Sequence, residues 1–112
     1  MLETSKILAM TAAEKATLVA NGAKQMTEGR YAAAIALASL ERSMGYLKLG
    51  FKTVKDLAKE MGELDDRDAT DLLWVGRKLL SVPQLNEAFR DGLLSWSQVK
   101  TLVPHIQVEN GA

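Results

Sequence analysis

The residue to test first for chemistry is His105, because an unperturbed imidazole changes charge close to neutral pH. It is the only histidine, it follows Pro104 near the C-terminus, and the chain has no cysteine to act with it. Ser95 and Ser97 are close in sequence, but Ser95-Trp-Ser-Gln98 has the spacing of a helix cap, which accounts for the hydroxyls. A nucleophile, a base and an orienting group are not assembled, so the chain reads as a non-enzyme. With no Cys and one His, disulfides, thiolate zinc sites and paired-histidine metal sites are excluded. The densest charge feature is acidic: Glu63, Asp65, Asp66, Asp68 and Asp71. An EF-hand alternates its ligands, turns on a central glycine and closes with a Glu. Here Gly62 precedes the cluster and no Glu follows at the right distance. Carboxylates at the start of a helix are favoured by its macrodipole, which is the plainer account of them. No metal or cofactor is expected.

The other unusual feature is Trp74. If residues 67–80 form a helix, Ala69, Leu72, Leu73, Gly76, Leu79 and Leu80 share its inner side. The outer side then carries Arg67, Thr70, Asp71, Trp74, Arg77 and Lys78. Two readings stand for a tryptophan among charges. It packs under the N-terminal helices, or it is an anchor at an interface, where Trp and Arg are enriched.

The elements that would hold these residues are short helices. Thr11 and Glu14 have capping-box spacing and open a helix to about residue 26, weakened at Asn21-Gly22. A second runs from about 28 to 47, with Ala33, Leu37, Leu40, Met44 and Leu47 as its buried stripe and Gly45 and Gly50 fraying its end. Thr53 caps a third through Met61, which Gly62 closes. Asp65 or Asp66 caps the helix of Trp74. Ser81 caps the next, with Pro83 in its first turn, and it stops at Asp91-Gly92. Ser95 opens the last, Pro104 ends it, and residues 105–112 form a frayed tail. No alternating stretch bounded by hairpin turns exists, so the fold is expected to be all-α, a compact bundle of five to six short helices. Leu57, Met61, Leu72 and Leu73, with the small Ala58, fit the seam of a helix-turn-helix-like core.

Length and charge bound the partners. At 112 residues the chain is expected to be one domain, 1–112, with a helical arm at about 1–39 and the helix-turn-helix-like core at about 40–104. The 14 Lys and Arg balance 14 Asp and Glu, which argues against binding nucleic acid by bulk charge. The balance is uneven along the chain: residues 1–61 carry nine Lys/Arg against six Asp/Glu, and 62–71 one against five. No apolar run approaches the ~20 residues of a membrane span, and no secretory signal is evident, so a cytoplasmic protein with no membrane partner is expected.

The string Leu40-Glu-Arg-Ser-Met-Gly-Tyr-Leu-Lys-Leu-Gly-Phe51, followed by Thr53-Val-Lys-Asp-Leu57, resembles the helical N-terminal region of bacterial HNH endonuclease-like proteins. The continuation Leu79-Leu-Ser-Val-Pro-Gln-Leu85 and the ending Ala88-Phe-Arg-Asp-Gly-Leu-Leu-Ser-Trp-Ser-Gln-Val-Lys100 extend that resemblance to a little over half the chain. The ending is also similar to the tail of the helix-turn-helix in partition proteins of the ParB type. The resemblance implies an all-helical domain in bacterial DNA transactions, carried by a mobile element or phage. The His-Asn-His nuclease module is absent, so cleavage is not implied.

The expected function is therefore a non-catalytic, helix-turn-helix-like regulatory protein that binds DNA, as a homodimer with two reading heads. Arg67, Thr70, Trp74, Arg77 and Lys78 would make the contacts, with Thr53 and Lys55 on backbone phosphates and Lys52 and Lys59 as further candidates. The acidic start of the Trp74 helix opposes this, because a recognition helix normally enters the groove by its N-terminal end. The alternative is a protein–protein adaptor or antagonist of a DNA-binding partner. In that reading Glu63, Asp65, Asp66, Asp68 and Asp71 meet a basic surface and Trp74 is the hot spot.

Overall fold

The computed structural model describes residues 3–23 and 28–106. Among them are eight α-helices and no strand: α1 Thr4–Leu8, α2 Ala12–Gly22, α3 Glu28–Ser43, α4 Gly45–Lys48, α5 Val54–Met61, α6 Asp66–Ser81, α7 Pro83–Arg90 and α8 Trp96–Leu102. A 3₁₀ turn, Val103–His105, follows α8 at Pro104. The fold is all-α, with more helices than the five to six expected. The extra ones are α1, which lacks a side-chain cap, and α4, which breaks off the end of α3. The expected helix end at 24–26 and the tail at 107–112 lie outside the described residues.

Local chemistry sets most helix starts. Thr11 Oγ1 accepts from the Glu14 N–H at 3.2 Å while Glu14 accepts from the Thr11 N–H at 2.9 Å. Ser95 and Gln98 form the same reciprocal pair at 3.1 and 2.8 Å. Thr53 caps α5 and Asp65 caps α6, each accepting from the N–H three residues on. Ser81 is a correction: it ends α6, its hydroxyl donates back to the Arg77 carbonyl, and Val82 stands at the start of α7. Pro83 alone presets that first turn.

The centre of the bundle is α3. Residues 33–40 are all buried, and all but Ser39 are apolar, so this stretch is enclosed on every side, as in a core helix. The division expected at residue 39 therefore falls inside the central helix. Its alanines let neighbours approach closely. A Cβ on Gly76 of α6 would sit 2.1 Å from the Ala34 carbonyl oxygen, and one on Gly22 of α2 would sit 2.2 Å from the Gly29 carbonyl oxygen. Gly22, read from sequence as a weak point, is the contact point of two helices. The stripe continues from Ala33 through Leu37 to Leu40 and then stops, because Met44 takes a left-handed conformation (φ 58°) that turns the chain. Met44 and Leu47, expected in the core, are exposed.

The α5–α6 seam forms from Leu57, Ala58, Leu72 and Leu73, all buried, with Met61 half-buried beside them. Its turn works differently from expectation. Gly62 has φ −88°, and the left-handed residue is Glu63 at φ 53°. The Leu64 N–H reaches back to the Lys59 carbonyl, as in a Schellman ending. Gly62 is needed for space, since its Cβ would stand 2.8 Å from the Ala58 carbonyl oxygen and 2.9 Å from the Ala23 Cβ. Elsewhere, Tyr31 on α3 donates to Asn86 Oδ1 at 2.7 Å, and Asn86 donates to Thr4 Oγ1 at 3.0 Å, with Thr4 also bonded to the Tyr31 hydroxyl. This triangle joins α1, α3 and α7.

Candidate nucleic-acid interface

Helix α6 sorts charge along its length and around its circumference. Its first turn holds Asp66 and Asp68 and its last turn Lys78, the arrangement a helix dipole favours. Around the axis, Ala69, Leu72, Leu73, Val75, Gly76 and Leu79 are buried. Leu80 is half-buried, and Val75 joins the inner side unforeseen. Residues at i, i+4 and i+7 share one line on a helix, which puts Thr70, Trp74 and Arg77 on the same edge.

Trp74 does not pack under the N-terminal helices: it is 54% exposed. It stands between two concavities. One, of about 370 Å³, is lined by Lys52, Thr53, Lys55, Thr70, Trp74 and Arg77 among the residues singled out from sequence. Glu41 and Tyr46 complete its polar and aromatic wall. The other, of about 310 Å³, has Trp74, Arg77, Lys78 and Ser81 on one side and Val103 and Pro104 on the other. Arg67 is exposed and lines neither. Glu41, at the end of α3, and Tyr46, on α4, were not singled out, because only the folding of the chain against α6 brings them beside Trp74.

Several of these cations are already engaged. Arg77 makes a forked pair with Glu41, Nε to Oε1 at 2.7 Å and a second bond from its terminal nitrogen to Oε2. The guanidinium holds the Glu41 carboxyl below its ordinary pKa, and the carboxylate raises that of Arg77. Lys55 donates to Asp66 at 2.8 Å and holds that carboxyl below its ordinary value, with Lys59 at 3.6 Å from the other oxygen. Lys78 donates to the Ile106 carbonyl at 2.7 Å.

Three residues of the acidic cluster line a different cleft from Trp74. Glu63, Asp68 and Asp71 line a separate cleft of about 250 Å³ with Arg30, Trp96 and Lys100. There the Arg30 guanidinium lies 5.1 Å from the Trp96 ring centroid and the Lys100 ammonium 5.9 Å, with Lys100 also 3.9 Å from Asp71. Sequence reasoning treated Trp96 as part of a cap and missed this cleft, whose cations come from α3 and α8. Among the described residues, no group of three or more His, Asp or Glu is placed to hold a metal ion. His105 is exposed in the 3₁₀ turn. Among them too, no helix is long and apolar enough to cross a membrane. No family model matches the chain, and no curated protein or solved structure is significantly similar to it.

Proposed function

We propose that this is a non-catalytic cytoplasmic protein that binds DNA through the Trp74 side of its α5–α6 unit, in a regulatory role linked to a mobile element or phage. The observation that carries the reading is the composition of the larger concavity beside Trp74. Lys52, Lys55 and Arg77 line it against a single carboxylate, Glu41, while Glu63, Asp68 and Asp71 line the cleft with Trp96. Cations with an aromatic anchor suit a phosphate backbone. The acidic start of α6 argues for contact along the Thr70–Trp74–Arg77 edge, with the N-terminal residues of α5 alongside, in place of head-on entry of α6 into a groove.

The test is binding of random-sequence DNA, annealed and denatured, at low and moderate salt. Affinity should fall steeply with salt, and Arg77→Ala with Lys78→Ala should weaken it and lower the salt slope by roughly 1 for each phosphate contact removed. No binding of either form at low salt sinks the reading.

One observation favours a protein partner instead. Arg77 and Lys55 are already neutralised by Glu41 and Asp66, which leaves an exposed tryptophan beside Val103 and Pro104. In that case Trp74→Ala abolishes a protein complex while DNA fails to bind at any salt.

A further inference from the structure

We infer that the concavity beside Trp74 takes an unpaired nucleotide, so that the preferred ligand is single-stranded nucleic acid over duplex. The inference rests on the nucleic-acid reading above and narrows its substrate class. Two aromatic side chains, the exposed Trp74 and the half-buried Tyr46, line the same concavity as Lys52, Lys55 and Arg77. At about 370 Å³ it lies in the size range of small-molecule pockets, roughly 300–1,000 Å³. A positively charged groove with an aromatic platform is how proteins hold single strands, because every base has a face to stack while the cations follow the phosphates. Bases inside a duplex are stacked on each other and cannot offer that face without being turned out.

Charge at the border of the site points the same way. Asp65, Asp66 and Asp68 are exposed at the start of α6, one turn before Thr70. A rigid duplex laid over the concavity carries a second row of phosphates towards that acidic end. A flexible single strand can follow Lys52 and Arg77 and avoid it. Glu41 is the built-in competitor, since its fork occupies the Arg77 donors that a phosphate would take.

The experiment uses the full chain carrying Trp96→Phe, so that Trp74 is the only tryptophan, with circular dichroism to verify the fold. It is titrated with an oligo(dT) of about 12 nucleotides, within the usual site size of about 4–16, and with a mixed-sequence duplex of equal length. The expected result is quenching of Trp74 emission by oligo(dT), with binding at least tenfold tighter than to duplex at the same salt. Anisotropy of a labelled oligonucleotide with the unsubstituted chain should give the same preference. Trp74→Ala should weaken the single-strand complex roughly ten- to hundredfold, the worth of one stacked base. Glu41→Gln should tighten it several-fold. Equal or tighter duplex binding with unchanged Trp74 emission overturns the single-strand preference and leaves DNA binding standing. Failure of both ligands at low salt overturns both.

Discussion

The two tryptophans line different concavities along α6 and are covered differently. Trp96 is half-buried, packed 6.1 Å from Phe89 and covered by the Arg30 guanidinium. Its charged neighbours carry both signs: Arg30 and Lys100 line one cleft with Glu63, Asp68 and Asp71. Trp74 is exposed, and the larger concavity at its side holds more cations than carboxylates. An aromatic ring whose face is already occupied by a cation is tied into the fold; one left open keeps its face free for a further contact. Location in a helix does not tell them apart, and neither does residue type. What differs is whether distant elements supply a covering group.

The contrast depends on one rigid placement of α6, so the largest effect should come from prying α6 off α3. Gly76→Ala places a Cβ against the Ala34 backbone. It should lower stability by about 3 kcal/mol in denaturant unfolding and disturb both concavities together, since overpacking a closed crossing typically costs 1–3 kcal/mol or more. Preserved stability would mean the helices can slide, and the two concavities would not be fixed relative to each other.

The tryptophans themselves give the next test. Trp96→Ala should cost about 2 kcal/mol of stability, less than the 3–5 of a fully buried aromatic because the ring is only partly covered. Trp74→Ala should stay within about 0.5 kcal/mol, as an exposed substitution does, while nucleic-acid binding falls at least tenfold. Similar thermal shifts for the two variants would erase the distinction.

A smaller effect separates the backbone at the acidic cleft. Glu63 holds a left-handed conformation that glycine adopts freely. Glu63→Gly should raise stability by about 0.5–1 kcal/mol, relief of strain offset by a more flexible unfolded chain. Gly62→Ala should lower it, since the added Cβ meets the Ala58 carbonyl and Ala23.

A similarly small stability effect belongs to the Glu41–Arg77 fork, whose partly exposed members are screened by water. Because Arg77 lowers the Glu41 pKa, the unfolded chain takes up that proton at a higher pH than the folded one. The pair's contribution is complete above the ordinary carboxylate range and vanishes as pH falls through the folded value. Glu41→Gln should therefore cost well under 1 kcal/mol at neutral pH and flatten the loss of stability below about pH 4. An unchanged acid profile would show that the fork adds nothing in solution.

The helix starts at Thr11, Thr53, Asp65 and Ser95 were legible in the sequence because a cap is decided within four residues by hydroxyl or carboxylate chemistry. The inner face of α6 was legible because a 3.6-residue period sorts apolar from polar side chains. The same reasoning misassigned Ser81, which continues α6, and it placed Gly62 correctly at the end of α5 but for a different reason, since Gly62 makes room for Ala23 while Glu63 takes the left-handed turn. It also carried the α3 stripe too far, since nothing near Met44 announces a left-handed residue.

By itself, the sequence determined an all-α chain, the ends of most helices and an outward Trp74 line on α6, all matters of short range. The tertiary structure decided that Trp74 is uncovered while Trp96 is capped by Arg30. It also decided that Glu41, Tyr46 and Lys52 surround Trp74, and that Gly22 and Gly76 mark helix crossings. Most of those outcomes join residues on different helices far apart in the sequence, such as Arg30 with Trp96 and Ala34 with Gly76, and only closure of the core around α3 brings such residues within reach.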